Sequence, residues 1–193
     1  MKKTIITLTT IICGLTTFAQ KGSFLVEAGY TFPNYTETVL KKADYSINNS
    51  SAANQLNLGY FISDKISISL GVNVSSATTK AKDVVDYLGT YQYSYSYDLS
   101  LLSFLAHVNY NYVATDKWNL SSGIGIGTSI ANVKTTVTPS SYSQPDLANA
   151  GGLALHITAI DAKYYFNNWL GLHAKLGIGS EGLIGLGTTF RIK

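Results

Sequence analysis

The chain of 193 residues is short of the features that mark most soluble domains. Lys, Arg, Asp and Glu together make up 13% of it, about half the usual share of roughly 25%, which excludes an ordinary water-facing globule as a first reading. Only one cysteine, Cys13, is present, and only three prolines accompany seventeen glycines; neither a disulfide framework nor a disordered proline-rich chain fits. No apolar run approaches the roughly 18 residues that a membrane-spanning helix requires, and a mean hydropathy of +0.12 is too polar for a bundle of such helices. The formal charge is +3 and falls to +1 without Lys2 and Lys3. No basic cluster points to nucleic acid. What is abundant is tyrosine, 14 residues, within one domain's length of chain.

Residues 1–20 read as a secretory signal peptide: Lys2 and Lys3 open it, Ile5 to Phe18 is mostly apolar or Thr, and Ala19 precedes Gln20. Cleavage is expected after Ala19, and the apolar stretch is too short for an anchor. Cys13 follows Ile12, where lipoprotein processing needs a small residue, so Cys13 is expected to leave with the signal. Residues 21–193 then form the one mature domain, free of thiols.

Along that domain apolar and polar residues alternate with a period of two, the signature of strands with one apolar face. Phe24, Val26, Ala28, Tyr30 and Phe32 alternate with Leu25, Glu27, Gly29 and Thr31. The same pattern runs through Leu56–Ile62, Ile66–Ser75, Leu102–Tyr112, Trp118–Ile130, Leu170–Gly179 and Ile184–Ile192. The facing of 152–166 is not fixed by its pattern. Three short connections share a form, an Asp or Asn turn bracketed by apolar or aromatic residues: Ser63-Asp64-Lys65, Thr115-Asp116-Lys117 and Asn167-Asn168-Trp169. Longer polar segments lie near 33–51, 76–91 and 131–151, and the last two strands turn at Ser180-Glu181-Gly182. Eight strands with short turns at one end and long loops at the other predict an all-β fold, an eight-stranded antiparallel up-and-down transmembrane β-barrel.

A soluble barrel of lipocalin type shares the alternation, so the two faces must be told apart. A water-facing surface would carry roughly 25–35% charged residues, whereas the polar face here is Ser, Asn and Gly, which fit a narrow eight-stranded lumen. Aromatics gather at strand ends, as in membrane barrels. Tyr60, Tyr112, Trp118, Tyr165, Trp169 and Phe190 are expected at the interface beside the short turns, with Tyr30, Phe32, Tyr87 and Tyr142 among those towards the other end.

The signal ending Phe18-Ala19-Gln20, the three turns and the closing strand Gly185-Leu186-Gly187-Thr188-Thr189-Phe190-Arg191-Ile192-Lys193 resemble the small eight-stranded outer-membrane barrels of the OmpA and OmpX type. The resemblance spans about 22–193 and implies an outer-membrane location in a Gram-negative cell, insertion by the barrel-assembly machinery, lipid as the surrounding partner and a monomer. It departs from that family's common closing signal in ending on Lys193, with Phe190 three residues earlier.

Chemistry on this face is sparse. His107, His156 and His173 stand on separate strands without a second ligand at metal spacing; no metal and no cofactor are expected. His156-Ile157-Thr158 is the nearest analogue of a lipid-modifying His and Ser pair, but it lacks the Ser. Glu27, Lys175 and Arg191 lie on the lumen face with His173, joined by Asp161 and Lys163 if their strand faces inward; an internal ion-pair network is predicted, with Glu27 near Arg191 and Asp161 near Lys175, since buried charges persist only when paired. Gly123, Gly125 and Gly127 open no helix and read as close packing. Tyr91, Tyr93, Tyr95 and Tyr97 have the opposite parity to Leu102 and Phe104, which predicts either a bulge near Leu101 or a strand that projects beyond the membrane. The function expected is non-enzymatic, structural or surface-interacting through external loops and any partner they meet. The alternatives are a lipid-modifying enzyme and a soluble small-ligand barrel.

Overall fold

The computed structural model describes residues 20–42, 45–80, 82–85, 92–138 and 150–193, with the backbone alone at 82–85 and 92–93. The expected signal segment before Gln20 and the tyrosines Tyr87, Tyr91 and Tyr142 lie outside the described residues. Among the described residues, ten strands and one helix follow in order: β1 (Phe24–Phe32), α1 (Tyr35–Lys42), β2 (Ile47–Ser50), β3 (Ala53–Phe61), β4 (Ile66–Thr79), β5 (Lys82–Val85), β6 (Gln92–Ala114), β7 (Trp118–Thr138), β8 (Ala150–Tyr165), β9 (Leu170–Gly179) and β10 (Ile184–Ile192). Eight of them form the barrel. Each pairs antiparallel with its neighbour, β1–β3–β4–β6–β7–β8–β9–β10, and β10 returns to β1 with Phe24 opposite Ile192 and Phe32 opposite Ile184. Closure removes every sheet edge from the wall.

The hairpin turns at one end use the chemistry their sequences suggest. Ser63 Oγ accepts the Ile66 N–H at 3.1 Å, Thr115 Oγ1 accepts the Trp118 N–H at 2.9 Å, and Asn167 Oδ1 accepts the N–H groups of Trp169 and Leu170 at 3.0 and 2.7 Å. At the other end the wall is uneven: β6 and β7 run for 23 and 21 residues, whereas β9 and β10 have 10 and 9. The two long strands project as a ribbon, flanked by β5 on β6 and by β2 on the end of β4. Their pairing is unbroken from Ser94 to Asn111, so no bulge lies near Leu101. The tyrosine segment is the projecting part of β6, and Tyr97 packs edge-on against Tyr45 and Tyr95 at centroid distances of 5.7 and 5.4 Å.

Helix α1 was not foreseen from the apolar pattern, because eight residues show too little periodicity. Its start is nonetheless written in the chain: Asn34 Oδ1 accepts the Glu37 N–H at 2.6 Å, an N-cap three residues before a glutamate.

The uncertain facing of 152–166 has a definite cause. β8 carries a bulge at Ala159, where its register against β9 jumps between Thr158 and Ile160 and its register against β7 jumps by a residue as well. An extra residue reverses the parity of everything beyond it. Ala154, His156 and Thr158 therefore face inward on even numbers, and Asp161, Lys163 and Tyr165 on odd ones.

Candidate functional site

The bulge turns Asp161 and Lys163 inward, so that all six predicted lumen residues, Glu27, Asp161, Lys163, His173, Lys175 and Arg191, lie inside, each buried. Asp161 stands directly opposite Lys175 across β8 and β9, as expected, whereas Glu27 does not pair with Arg191. Glu27 meets Lys163, whose Nζ lies 3.1 Å from Glu27 Oε1 and also donates to Asp161 Oδ2. His173 Nδ1 stands 3.8 Å from Asp161 Oδ1. This first cluster joins strands β1, β8 and β9.

Arg191 is not the partner of Glu27. It lies nearer the short turns, where its Nε donates to Asn168 O at 3.3 Å and its Nη2 to Asp116 O at 3.0 Å, with the guanidinium 4.2 Å from the Tyr165 ring centroid. The strand end carries the arginine past the glutamate, so it serves turn carbonyls instead. The same geometry corrects the reading of Tyr165 as an interface aromatic: it is buried, in a small apolar cluster with Leu25 and Phe61. Tyr164, outward because of the bulge, takes the interface position and packs on Trp118 at 4.8 Å. Tyr60, Tyr112, Trp118 and Trp169 are exposed on the outer wall; Phe190 is half-buried and stacks on Trp169 at 6.1 Å.

A second cluster was missed. Glu181, from the turn between β9 and β10, folds back into the barrel and is wholly buried. Lys175 Nζ donates to its Oε2 at 3.1 Å, His107 Nε2 lies 2.9 Å from Oε1, and His156 Nε2 lies 3.5 Å from Oε2. Lys175 thus makes its ion pair with Glu181 while standing opposite Asp161, its expected neighbour, in the strand register. The Glu181 carbonyl accepts from Thr31 Oγ1 and, at 3.3 Å, from Asn73 Nδ2, which ties the turn to β1 and β4. Gly182 turns with φ +110°, where a Cβ would meet Pro33 O at 2.9 Å. The turn is a plug in the mouth of the barrel. No alternation rule reports on a turn residue, and the signal available was a lone acid beside the left-handed glycine the turn requires.

The glycines of the polar face make room for the histidines. A Cβ on Gly125 would lie 2.5 Å from His107 Nδ1, on Gly177 2.5 Å from His156 Nε2, and on Gly187 2.5 Å from His173 Nε2. The alternating glycines of β7 are packing features of the lumen. At the short-turn end Gln20 closes the barrel: its backbone N–H donates to Asp64 Oδ1 at 2.7 Å, its Nε2 to Thr115 O at 2.9 Å, and its Oε1 accepts from Asn119 Nδ2 at 3.3 Å. Gln20 therefore packs as part of the barrel, one residue before the expected domain start.

Two functional alternatives can be weighed on this geometry. His156 and Thr158 both point into the lumen and are buried, so neither reaches a lipid at the outer wall. Glu27, Asp161 and His173 each offer a ligand atom within 4.8 Å of the others, a spacing that suits a metal ion. The Lys163 ammonium already sits between the two carboxylates and supplies the positive charge there.

No protein-family model matches the sequence, and no curated protein matches it significantly. Among solved structures, the chain is similar to the N-terminal β-barrel domain of Pseudomonas aeruginosa OprF, at 18% identity over 89% of this chain and 98% of that one, with a TM-score of 0.46. It is also similar to Ail, the attachment invasion locus protein of Yersinia pestis, at 14% identity over 89% and 99%, with a TM-score of 0.45.

Proposed function

We propose that this protein is an integral outer-membrane barrel with a closed lumen, non-enzymatic, whose structural or surface role is exercised by the projecting loops and the β6–β7 ribbon. The supporting observation is an inversion of burial. Leu70 and Ile178 on the outer wall are 69% and 67% exposed, while Arg191 and Glu181 inside are 2% and 1% exposed. Water-soluble proteins keep charge outside and rarely show an apolar patch beyond a few hundred Å². Here apolar side chains cover the wall on every barrel strand, and lipid is the solvent that suits them. The exposed aromatics Tyr60, Trp118 and Trp169 fall at the end that holds the short turns and both termini of the barrel, which this reading places in the periplasm.

The side chains of both clusters, Gln20 and the Glu181 turn are buried inside the wall, which supports a plugged barrel over an open pore. The long ribbon, α1 and β2 project at the opposite end, where a partner would be met. Membrane fractionation followed by electrophoresis with and without boiling tests the reading. A membrane-bound band whose mobility shifts on heating is expected; recovery in the soluble periplasmic fraction would overturn it in favour of a small-ligand barrel.

A further inference from the structure

The outer wall is not uniformly ridged. A groove of about 530 Å³ runs over β1, β3, β4 and β6, walled by Val26, Leu58, Leu70 and Val108 and floored at Ala106, where the side chain is small. A second groove of about 510 Å³ continues from it, sharing Leu58, Leu70 and Ala106 and passing on to Val72, Phe104 and Ile126. The first groove begins at the short-turn end, at the tilted ring pair Phe24–Tyr60, 5.0 Å between centroids. Aromatic pairs of this kind stand at the level of lipid headgroups.

Two exposed lysines flank that same end. Lys65 belongs to the β3–β4 turn, between Phe61 and Ile66, and its carbonyl accepts the Asn111 N–H of β6 at 2.7 Å. Lys21 lies across the same turn, its N–H donating to Asp64 Oδ1 at 3.1 Å. That carboxylate oxygen also accepts the Gln20 N–H, so the one acid between the lysines is engaged by backbone donors. The end of the groove is left with a local excess of positive charge. On the opposite wall a groove of about 550 Å³ starts at the Trp118–Tyr164 pair, but there the charge of the exposed Lys117 is balanced by its exposed neighbour Asp116, so the positive excess is confined to the first groove.

We propose that the face of β1, β3, β4 and β6 binds an anionic phospholipid, with its acyl chains in the two linked grooves and its phosphate at Lys21 and Lys65. The inference rests on the membrane reading above, and supplies a lipid preference that the reading alone does not contain. Each net positive charge near an anionic headgroup is worth about fivefold in retention; two lysines set against Asp64 leave one, so a preference of at least about fivefold is expected. The full mature chain, extracted and folded in neutral detergent, is mixed with phosphatidylglycerol or phosphatidylcholine of identical chains, and retained lipid is counted by native mass spectrometry. Phosphatidylglycerol is expected to be retained at least fivefold better by the wild type, the paired substitutions Lys21→Gln and Lys65→Gln to abolish that preference, and Ala106→Phe to lower retention of both lipids. Equal retention of the two lipids by the wild type, or a preference untouched in the double variant, would overturn the proposal. The shift on heating reports folding of each variant independently; if Ala106→Phe does not fold, the exposed lysine pair still decides. A heat-shifting membrane protein without lipid preference refutes this inference alone, whereas a soluble chain refutes the membrane reading itself.

Discussion

Two charged clusters fill one lumen, and they are built differently. In the first, Glu27, Lys163, Asp161 and His173 all stand on strands, and one ammonium faces two carboxylates. In the second, one carboxylate from a turn faces Lys175, His107 and His156. The first cluster ties β1 to β8 and β9 across the lumen; the second holds a turn in the mouth. Loss of a partner should therefore threaten the whole barrel in the first case and chiefly the plug in the second. The difference shows that a buried charge acts through the element that carries it.

The largest effect is expected from Lys163→Met, which removes the ammonium that both Glu27 and Asp161 pair with. Breaking a buried pair costs about 3–5 kcal/mol, read as a lower urea midpoint for the vesicle-inserted barrel; a wild-type midpoint would erase the distinction between the clusters. Glu181→Gln removes the only carboxylate of the second cluster but keeps its shape, and should cost about 2–3 kcal/mol. Protease sensitivity should then rise at 180–183 before the wall unfolds, and simultaneous loss of both would contradict a locally acting plug. Glu27→Gln is milder, about 1–2 kcal/mol, because Asp161 still neutralises Lys163. Heat resistance should fall without a change in vesicle permeability, and a large permeability increase would sink the plugged-barrel account.

The smallest effect lies outside the lumen, in α1. The hydrogen bonds from Lys41 and Ser50 hold the Glu37 carboxyl below its ordinary value of 4.5, against a small opposing effect of burial. A depressed carboxyl contributes stability that is present above its unfolded value and is lost as pH falls through the folded one. Protection of the α1 amides, taken relative to the intrinsic exchange rate at each pH, should accordingly fall only below about pH 4.5, while the barrel amides stay protected. Parallel loss in both would show that helix and wall are one unit.

How much of this was legible depended on the carrier of each residue. Strand residues announced themselves: Glu27, Lys175 and Arg191 could be placed inward because alternation survives wherever one face must be buried. Asp161 and Lys163 were ambiguous because one residue, the bulge at Ala159, reverses parity without leaving a mark in composition, and Tyr165 was misplaced for the same reason. Asp161 opposite Lys175 was legible, whereas the pairing of Glu27 with Lys163 was not, because register between strands far apart in sequence sets which carboxylate meets which ammonium. Glu181 was hidden because its position follows from the fold of a turn, and periodicity is silent there.

The central claim is that the wall of this barrel faces lipid and its charge faces inward. With Cys13, the one cysteine of the sequence, replaced by serine the background is free of thiols, so single cysteines carrying spin labels can be placed at Leu70, Ile124 and Ile178 outside and at Ser103 and Thr189 inside, in vesicle-inserted protein. The outward labels should relax with membrane-dissolved oxygen and be shielded from a water-soluble nickel complex, and the inward labels should be shielded from oxygen. Outward labels that respond to the nickel complex, or labels with no inside–outside difference, would contradict it.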